Sequence, residues 1–321
     1  MGNLPLSLRK ELDDRFSVRP VLTKKQYVSA DGTIKLALQF SDGAGIEAVL
    51  LAGSSTPKKA PDKYTACLST QAGCPAGCVF CRTGSLGFLR NLSSAEIVEQ
   101  FFQLKKAAEE ASGLSENNFT RTITNIVFMG MGEPLLNLEE LRKAINVITS
   151  PQGLHFSKKR ITVSTCGMTD GIISLADNGP QIRLALSLPS ADERLRRRLM
   201  PITGSQSLAG VKKALDYFQK KGGGRVTLET VLLGGGLNTA LENAAGIAEF
   251  AGGLNVAVNL IPWNPVKGLV FDGIPLSEPS VTEIKEFKKH LESMGLVVTC
   301  RFRRGRGVMG ACGQLGELPA H

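Results

Sequence analysis

The chain has 321 residues, 42% apolar and 21% charged, the profile of a globular protein with a sizeable core. No apolar run reaches about 18 residues, and the acidic N-terminal stretch MGNLPLSLRKELDDRF has neither a leader's apolar segment nor a myristoylation motif, so membrane spans, secretion and lipid anchoring are not expected. A formal net charge of +9 favours a polyanionic partner, RNA or DNA, over an acidic small molecule.

Residues 1 to about 25 read as one short helix, with Leu4, Leu6, Leu8 and Leu12 among charges. Alternating segments follow: YVSA, an Asp31-Gly32 turn, TIKLALQF and GIEAVLL, a hairpin pattern. AGSSTPKKAPDK at 52–63 reads as an exposed loop. These segments predict an accessory region over residues 1–60 and a core over 61–321.

From residue 64 the rhythm changes. Strands are expected at 65–70, 123–130, 161–165, 182–188, 225–233, 256–261 and 296–302. Helices are expected near 94–112, 138–149, 168–178, 191–199, 207–221, 240–252 and 281–294, two of them opened by the capping boxes Ser93–Glu96 and Ser280–Glu283. Strand–helix alternation with near-continuous apolar strands predicts a parallel sheet covered by helices. The fold class is therefore α/β, a partial (β/α)6-type barrel with a small N-terminal helix and β-hairpin extension; a doubly wound open sheet is the alternative. A barrel gathers its chemistry where strands end, and the motifs lie there: Cys74 after the first core strand, GMGEP after the second, Ser164 in the third, Ser187-Leu188-Pro189 after the fourth, IPWNP after the sixth, and Cys312 after the last.

Seven cysteines without an export signal favour a metal or catalytic use in a reducing, cytoplasmic setting over a disulfide framework. Cys74, Cys78 and Cys81 stand at C-x3-C-x2-C spacing in GCPAGCVFCRTG. A zinc site needs a fourth ligand, and none of His155, His290 and His321 is local. A structural iron–sulfur site would need a fourth thiolate, from Cys67, Cys166, Cys300 or Cys312. The spacing on a loop after a first barrel strand resembles the radical-SAM superfamily signature, in which three thiolates hold a 4Fe–4S cluster and the open iron chelates S-adenosylmethionine.

The longest resemblance is to the RlmN/Cfr family of radical-SAM RNA adenine methyltransferases, carried by DGTIK (31–35), CLSTQAGC (67–74), RNLSSAEIVEQ (90–100), GMGEPLLN (130–137), ITVSTCG (161–167), NLIPWNP (259–265) and ACGQL (311–315). It implies Cys312 as the methyl-carrying cysteine, Cys67 as the thiol that resolves the protein–RNA adduct by forming a disulfide with it, and Glu47 as proton acceptor. It also implies S-adenosylmethionine contacts at Gly132, Glu133, Ser164, Ser187, Leu188, Pro189 and Asn264. The expected substrate is carbon 2 of an adenosine in 23S rRNA, and of a tRNA as well; Cfr-type members act on carbon 8. A flavodoxin or ferredoxin is the implied electron donor, and a monomer the expected state. By the residues alone, Cys67 could be a buried small hydrophobe, Glu47 a solvent-facing strand residue, and Cys166 and Cys300 core or incidental.

Carbon 2 of adenine is electrophilic, so a methyl cation equivalent cannot react there and a carbon radical can. Breaking the resulting adduct calls for a base and a second thiol. The basic runs RLRRRL (194–199) and RFRRGR (301–306) are read as RNA contacts, the second leading into Cys312. Three departures from the family mark a divergent RlmN-like member with altered substrate docking: a short region before the hairpin, Ser-Leu-Pro where Ser-Leu-His is usual, and Gly307-Val308 where aspartate and isoleucine are usual.

Overall fold

The computed structural model describes residues 5–15, 21–53, 63–112, 123–301 and 304–316. Helix α1 (Leu6–Arg15) is mostly exposed. The single helix expected over 1–25 is not what forms: Val21–Val28 is strand β1, paired antiparallel with β2 (Ile34–Phe40) through the Asp31-Gly32 turn. Lys24, Lys25 and Gln26 make β1 polar, the composition that protects a sheet edge from further pairing. Strand β3 (Gly45–Ala52) continues the meander and pairs antiparallel with β4 (Tyr64–Cys67).

Beyond β4 the sheet is parallel. Strands β5 (Gln71–Gly73) and β6 (Phe88–Asn91) form a separate antiparallel ladder. The main sheet then takes β7 (Ile123–Phe128), β8 (Ile161–Thr165), β9 (Arg183–Ser187), β10 (Val226–Leu232) and β11 (Val256–Pro262), with β12 (Val270–Phe271) and β13 (Ile274–Pro275) as a small hairpin apart and β14 (Val298–Cys300) last. The order is β1-β2-β3-β4-β7-β8-β9-β10-β11-β14. From β4 onward the strands follow chain order without the reversal that a doubly wound sheet requires. The partial barrel is the architecture found.

Alternation sets what faces the lumen. In β8, Ile161 and Val163 are buried while Thr162 and Ser164 line cavities. The outer layer includes α3 (Ser94–Ser112), α4 (Leu138–Thr149), α5 (Thr169–Asn178), α6 (Glu193–Leu199), α7 (Leu208–Phe218), α8 (Leu241–Ala251) and α9 (Val281–Ser293), with the four-residue α2 (Arg82–Ser85) inside the cysteine loop. Each apolar stripe follows helical spacing. In α4, Leu141, Ala144, Ile145 and Ile148 are buried, and each buried Leu or Ile contributes about 1.5–3 kcal/mol. Both expected capping boxes form: Glu96 Oε2 accepts from Ser93 N at 2.8 Å, and Ser280 Oγ accepts from Glu283 N at 3.1 Å. The Ser280 backbone hydrogen bond holds the Glu283 carboxyl at about 2. No helix among the described residues is long and apolar enough to cross a membrane.

A buried ion pair ties two strands of the meander, β2 and β3, to each other. Lys35 Nζ donates to Glu47 Oε1 at 2.8 Å, with both side chains almost wholly removed from solvent. Removing one partner of such a pair leaves an uncompensated charge, at a cost of about 3–5 kcal/mol. Lys35→Met should therefore lower the unfolding free energy by roughly that amount in urea titration, and Lys35→Met with Glu47→Leu should recover part of it.

Candidate active site

The three clustered cysteines sit on the loop between the strands of the β5–β6 ladder, pinned where Cys74 N donates to Gly87 O at 2.8 Å. Gly84 has no room for a Cβ, which would lie 2.8 Å from the backbone N and O of Cys78, so α2 packs directly on the cysteine backbone. Cys74, Cys78 and Cys81 line one cavity, with about 980 Å³ of empty space counted out to solvent. Burial, reinforced by the neighbouring thiols, pushes Cys74 up to about 12 and Cys81 up to about 11. Among the described residues no three ligating side chains close around a single ion. An all-thiol donor set spread along one cavity wall suits a multinuclear iron–sulfur cluster better, because soft thiolates favour such clusters and coordination removes the thiol proton that burial otherwise retains.

The rest of that cavity is assembled from strand ends. Gly132, Glu133, Ser164, Ser187 and Pro189 all line it. Gly132 is left-handed, with φ 105°, and a Cβ there would stand 2.7 Å from Gln71 Cβ, so packing against Gln71 demands glycine at this position. Glu133 is buried, its Oε1 accepting from Leu135 N at 3.1 Å and its Oε2 from Cys166 N at 2.7 Å. Burial raises its pKa against those hydrogen bonds. Pro189 O accepts from Asn238 Nδ2 at 2.8 Å, which fixes the turn although this residue has no N–H of its own. Leu188 is fully buried, contributes nothing to the lining, and spends its N–H on Glu229 O at 2.9 Å.

Cys312 reaches the same cavity from the other end of the chain. Its loop is tied down along its length: Arg82 N donates to Gly313 O at 2.7 Å, Thr83 Oγ1 to Leu315 O at 2.6 Å, and Gln314 Nε2 to Pro265 O at 2.9 Å. Asn264 Nδ2 donates to Cys312 O at 3.2 Å. Asn264 thus holds the cysteine loop, and it lines a second cavity, not the one with the three cysteines. Trp263 Nε1 donates to Phe80 O at 2.8 Å, fastening the cysteine loop to the IPWNP turn.

The nearest partner of the Cys312 thiol is Arg301, whose Nη1 donates to Sγ at 3.0 Å. Arg301 is held by Glu229 at 3.8 Å, Glu229 Oε2 accepts from Asn259 Nδ2 at 2.9 Å, and Asn259 Oδ1 accepts from Thr299 Oγ1 at 3.0 Å. This chain crosses three adjacent strands and fixes the guanidinium. Burial raises the Glu229 pKa while Arg301 lowers it. Sequence reading took Arg301 for a phosphate contact. Its lumen position follows from alternation with Thr299, a signal that the charge run hid.

Cys67 ends β4, buried, opposite Val49 and beside Val127. Burial, with Cys312 adding, pushes it up to about 12 against the opposing pull of Arg301. Glu47 is not solvent-facing: besides Lys35 it accepts from Gly316 N at 2.9 Å, and it lines neither cavity. Cys166 belongs to the buried core, as expected, and also has a cavity face. It lines the cavity beside Cys78, and its carbonyl accepts from Arg196 Nη2 at 2.7 Å.

That last contact corrects the reading of RLRRRL. Arg196 is buried, Arg197 pairs with Glu193, and Arg198 pairs with Asp272 and lies over the Phe271 ring. In RFRRGR, Arg304 binds Ala52 O and Arg306 pairs with Glu278, while Phe302 and Arg303 lie outside the described residues. Arg196 is thus committed to the interior and Arg304 and Arg306 tie loops, while Arg194, Arg197 and Arg198 remain exposed on the surface.

A family model described as the radical SAM superfamily matches residues 68–244. A protein of Treponema denticola named probable dual-specificity RNA methyltransferase RlmN is 48% identical over 320 residues, 100% of this chain and 85% of that protein. The chain belongs to the RlmN family. The dual-specificity RNA methyltransferase RlmN of Lawsonia intracellularis is 41% identical across 98% of this chain and 84% of its own. Among solved structures, a radical SAM methyltransferase from Sphaerobacter thermophilus aligns with a TM-score of 0.87 at 37% identity, covering 98% of this chain and 86% of that one. Family membership makes this chain a radical-SAM methyltransferase, and a 4Fe–4S cluster and S-adenosylmethionine are its family's cofactors.

Cys67 and Cys312 should react unequally. Cys67 is buried and its pKa is raised, so thiolate appears only as pH climbs toward about 12, whereas Cys312 is half-buried. Peptide mass mapping after iodoacetamide treatment at pH 8 should find Cys312 alkylated in the folded protein and Cys67 alkylated only after denaturation.

Proposed function

We propose that this enzyme methylates carbon 2 of an adenosine in 23S rRNA, and of a tRNA adenosine as well, with Cys312 carrying the methyl group. The observation that carries the reading is the placement of Cys312: its thiol shares a cavity with Cys74, Cys78 and Cys81 and accepts from Arg301 Nη1 at 3.0 Å. Relatives named dual-specificity RNA methyltransferases support the substrate class.

Cys74, Cys78 and Cys81 would hold the cluster, which when bound supplies the electron that cleaves S-adenosylmethionine to a carbon radical. The chain's own residues do the rest. Cys312 takes a methyl group by displacement from one S-adenosylmethionine, and the Arg301–Glu229–Asn259–Thr299 chain aims its sulfur. Once that group has given one hydrogen atom to the carbon radical, its carbon bonds to the base, the ring hydrogen leaves as a proton and the surplus electron returns to the electron supply; resolution then breaks the carbon–sulfur bond. Cys67 attacks the Cys312 sulfur, a disulfide forms, and the electron pair left on carbon is protonated to give the methyl product. The Cys67 thiol must first lose its proton, and the nearby Arg301 favours that loss. Glu47, held by Lys35 and Gly316, supports a positioning role for the Cys312 loop. The electron donor is a flavodoxin or ferredoxin.

The thiols should separate on substitution. Cys312→Ala should yield protein free of covalent RNA, and Cys67→Ala should accumulate RNA linked through Cys312, visible as a nuclease-resistant nucleotide mass that the double substitution lacks. Nucleoside mass spectrometry of rRNA and tRNA treated with reconstituted enzyme should show 2-methyladenosine. Appearance of 8-methyladenosine instead would assign Cfr-type chemistry, and no methyladenosine would defeat the RNA reading.

A further inference from the structure

The lumen holds two chambers, and the function above uses only one. Ile261, Arg301 and Cys312 line both. On one side lie the three cysteines, Glu133, Ser164 and Ser187. On the other is a larger space, about 1310 Å³ counted out to solvent, lined by Thr65, Asn125, Thr162 and Arg183 among others. Register explains the division. Thr65 precedes Cys67 by two residues and Thr162 precedes Ser164 by two, so each pair shares the inward face and the second chamber lies one step nearer the strands' N-terminal ends. Thr65 is beside Asn125, and Thr162 is beside Arg183, on hydrogen-bonded neighbours.

The lining has a definite chemistry. Among the described residues it contains three arginines, Arg183, Arg301 and Arg304, and no carboxylate. Asn125 Nδ2 donates one N–H to Thr124 Oγ1 at 3.1 Å, which leaves its second N–H and its amide oxygen as the donor and acceptor that match the edge of adenine. Arg183 is exposed at the opening, where a phosphate can meet it.

We propose that this second chamber holds the target adenine, flipped from its stack, with Asn125 reading the base edge, Thr65 and Thr162 flanking it, and Arg183 meeting the backbone phosphate. Cys312 then stands in the wall between cofactor and substrate, methylated from one side and emptied to the other. RNA docks at the N-terminal ends of β4, β7, β8 and β9, away from the cysteine loop. This inference rests on the RNA reading above.

The test uses reconstituted holoenzyme, a hairpin from the peptidyl-transferase region of 23S rRNA carrying the target adenosine, and the same hairpin with inosine. Affinity is read by fluorescence anisotropy, the S-methyl group on Cys312 by peptide mass, and RNA methylation by nucleoside mass spectrometry. Asn125→Ala should weaken the preference for adenosine over inosine and cut methyl delivery roughly 10- to 100-fold while Cys312 still becomes methylated as in wild type. Arg183→Glu should weaken binding of both hairpins about equally and lower the salt dependence of affinity by about one contact. Asn125→Leu keeps nearly the side-chain volume while removing both the amide donor and the acceptor, so it should lose the same preference even where the alanine variant is unstable. Unchanged base preference and delivery in both Asn125 variants would overturn the assignment. So would loss of Cys312 methylation in stably folded Asn125→Leu, which would place this residue with the cofactor. Failure of wild type to methylate either RNA strikes the parent reading instead, and adenosine preference in binding then judges the chamber alone.

Discussion

The site depends on one clasp. The loop carrying Cys312 is hydrogen-bonded to the loop carrying Cys74, Cys78 and Cys81 through Arg82–Gly313 and Thr83–Leu315, and the IPWNP turn binds both through Trp263 and Asn264. Neither loop has regular structure long enough to hold itself in place. Buried backbone groups without partners are costly, so each loop satisfies the other and the chemical groups they carry acquire a fixed separation. Asp31 and Glu47 complete the arrangement from the meander, accepting from Gly305 N at 2.7 Å and Gly316 N at 2.9 Å.

Polarity inside the lumen follows from the same economy. A parallel barrel that packed only aliphatic side chains inward would have no use for Glu229 or Arg301. Here hydrogen bonds run from the exposed Thr299 through Asn259 to Glu229, and an ion pair from Glu229 holds the Arg301 that ends on sulfur. A satisfied network in low dielectric is rigid, and a half-satisfied one is destabilising. The precision with which a thiol must face two different reactants is a sufficient reason to retain it.

Much of this was legible in the sequence. The strands at 161–165 and the helices at 94–112 and 138–149 match their expected bounds, because burial alternates with period 2 or 3.6 there and caps mark the starts. The rim motifs converge because strand ends do. What stayed hidden had a different cause in each case. Strand β1 was missed because an edge strand is polar enough to read as something else. The β5–β6 ladder is too short to show a period, and glycine at 73 looks like loop. Arg196 and Arg301 were misread because a run of arginines records charge and not direction. Their burial becomes evident only when Cys166 O and Cys312 Sγ are seen to need donors.

Two of the clasp's ties span 274 and 269 positions of the chain, from Asp31 to Gly305 and from Glu47 to Gly316. Closing loops of that length is entropically unfavourable until nearly all intervening structure exists. During synthesis the first hairpin waits for the last loop, and the barrel between them must be complete before they meet. The reactive thiol is therefore brought into register at the end of folding, so a partly made chain holds cysteines but no assembled centre.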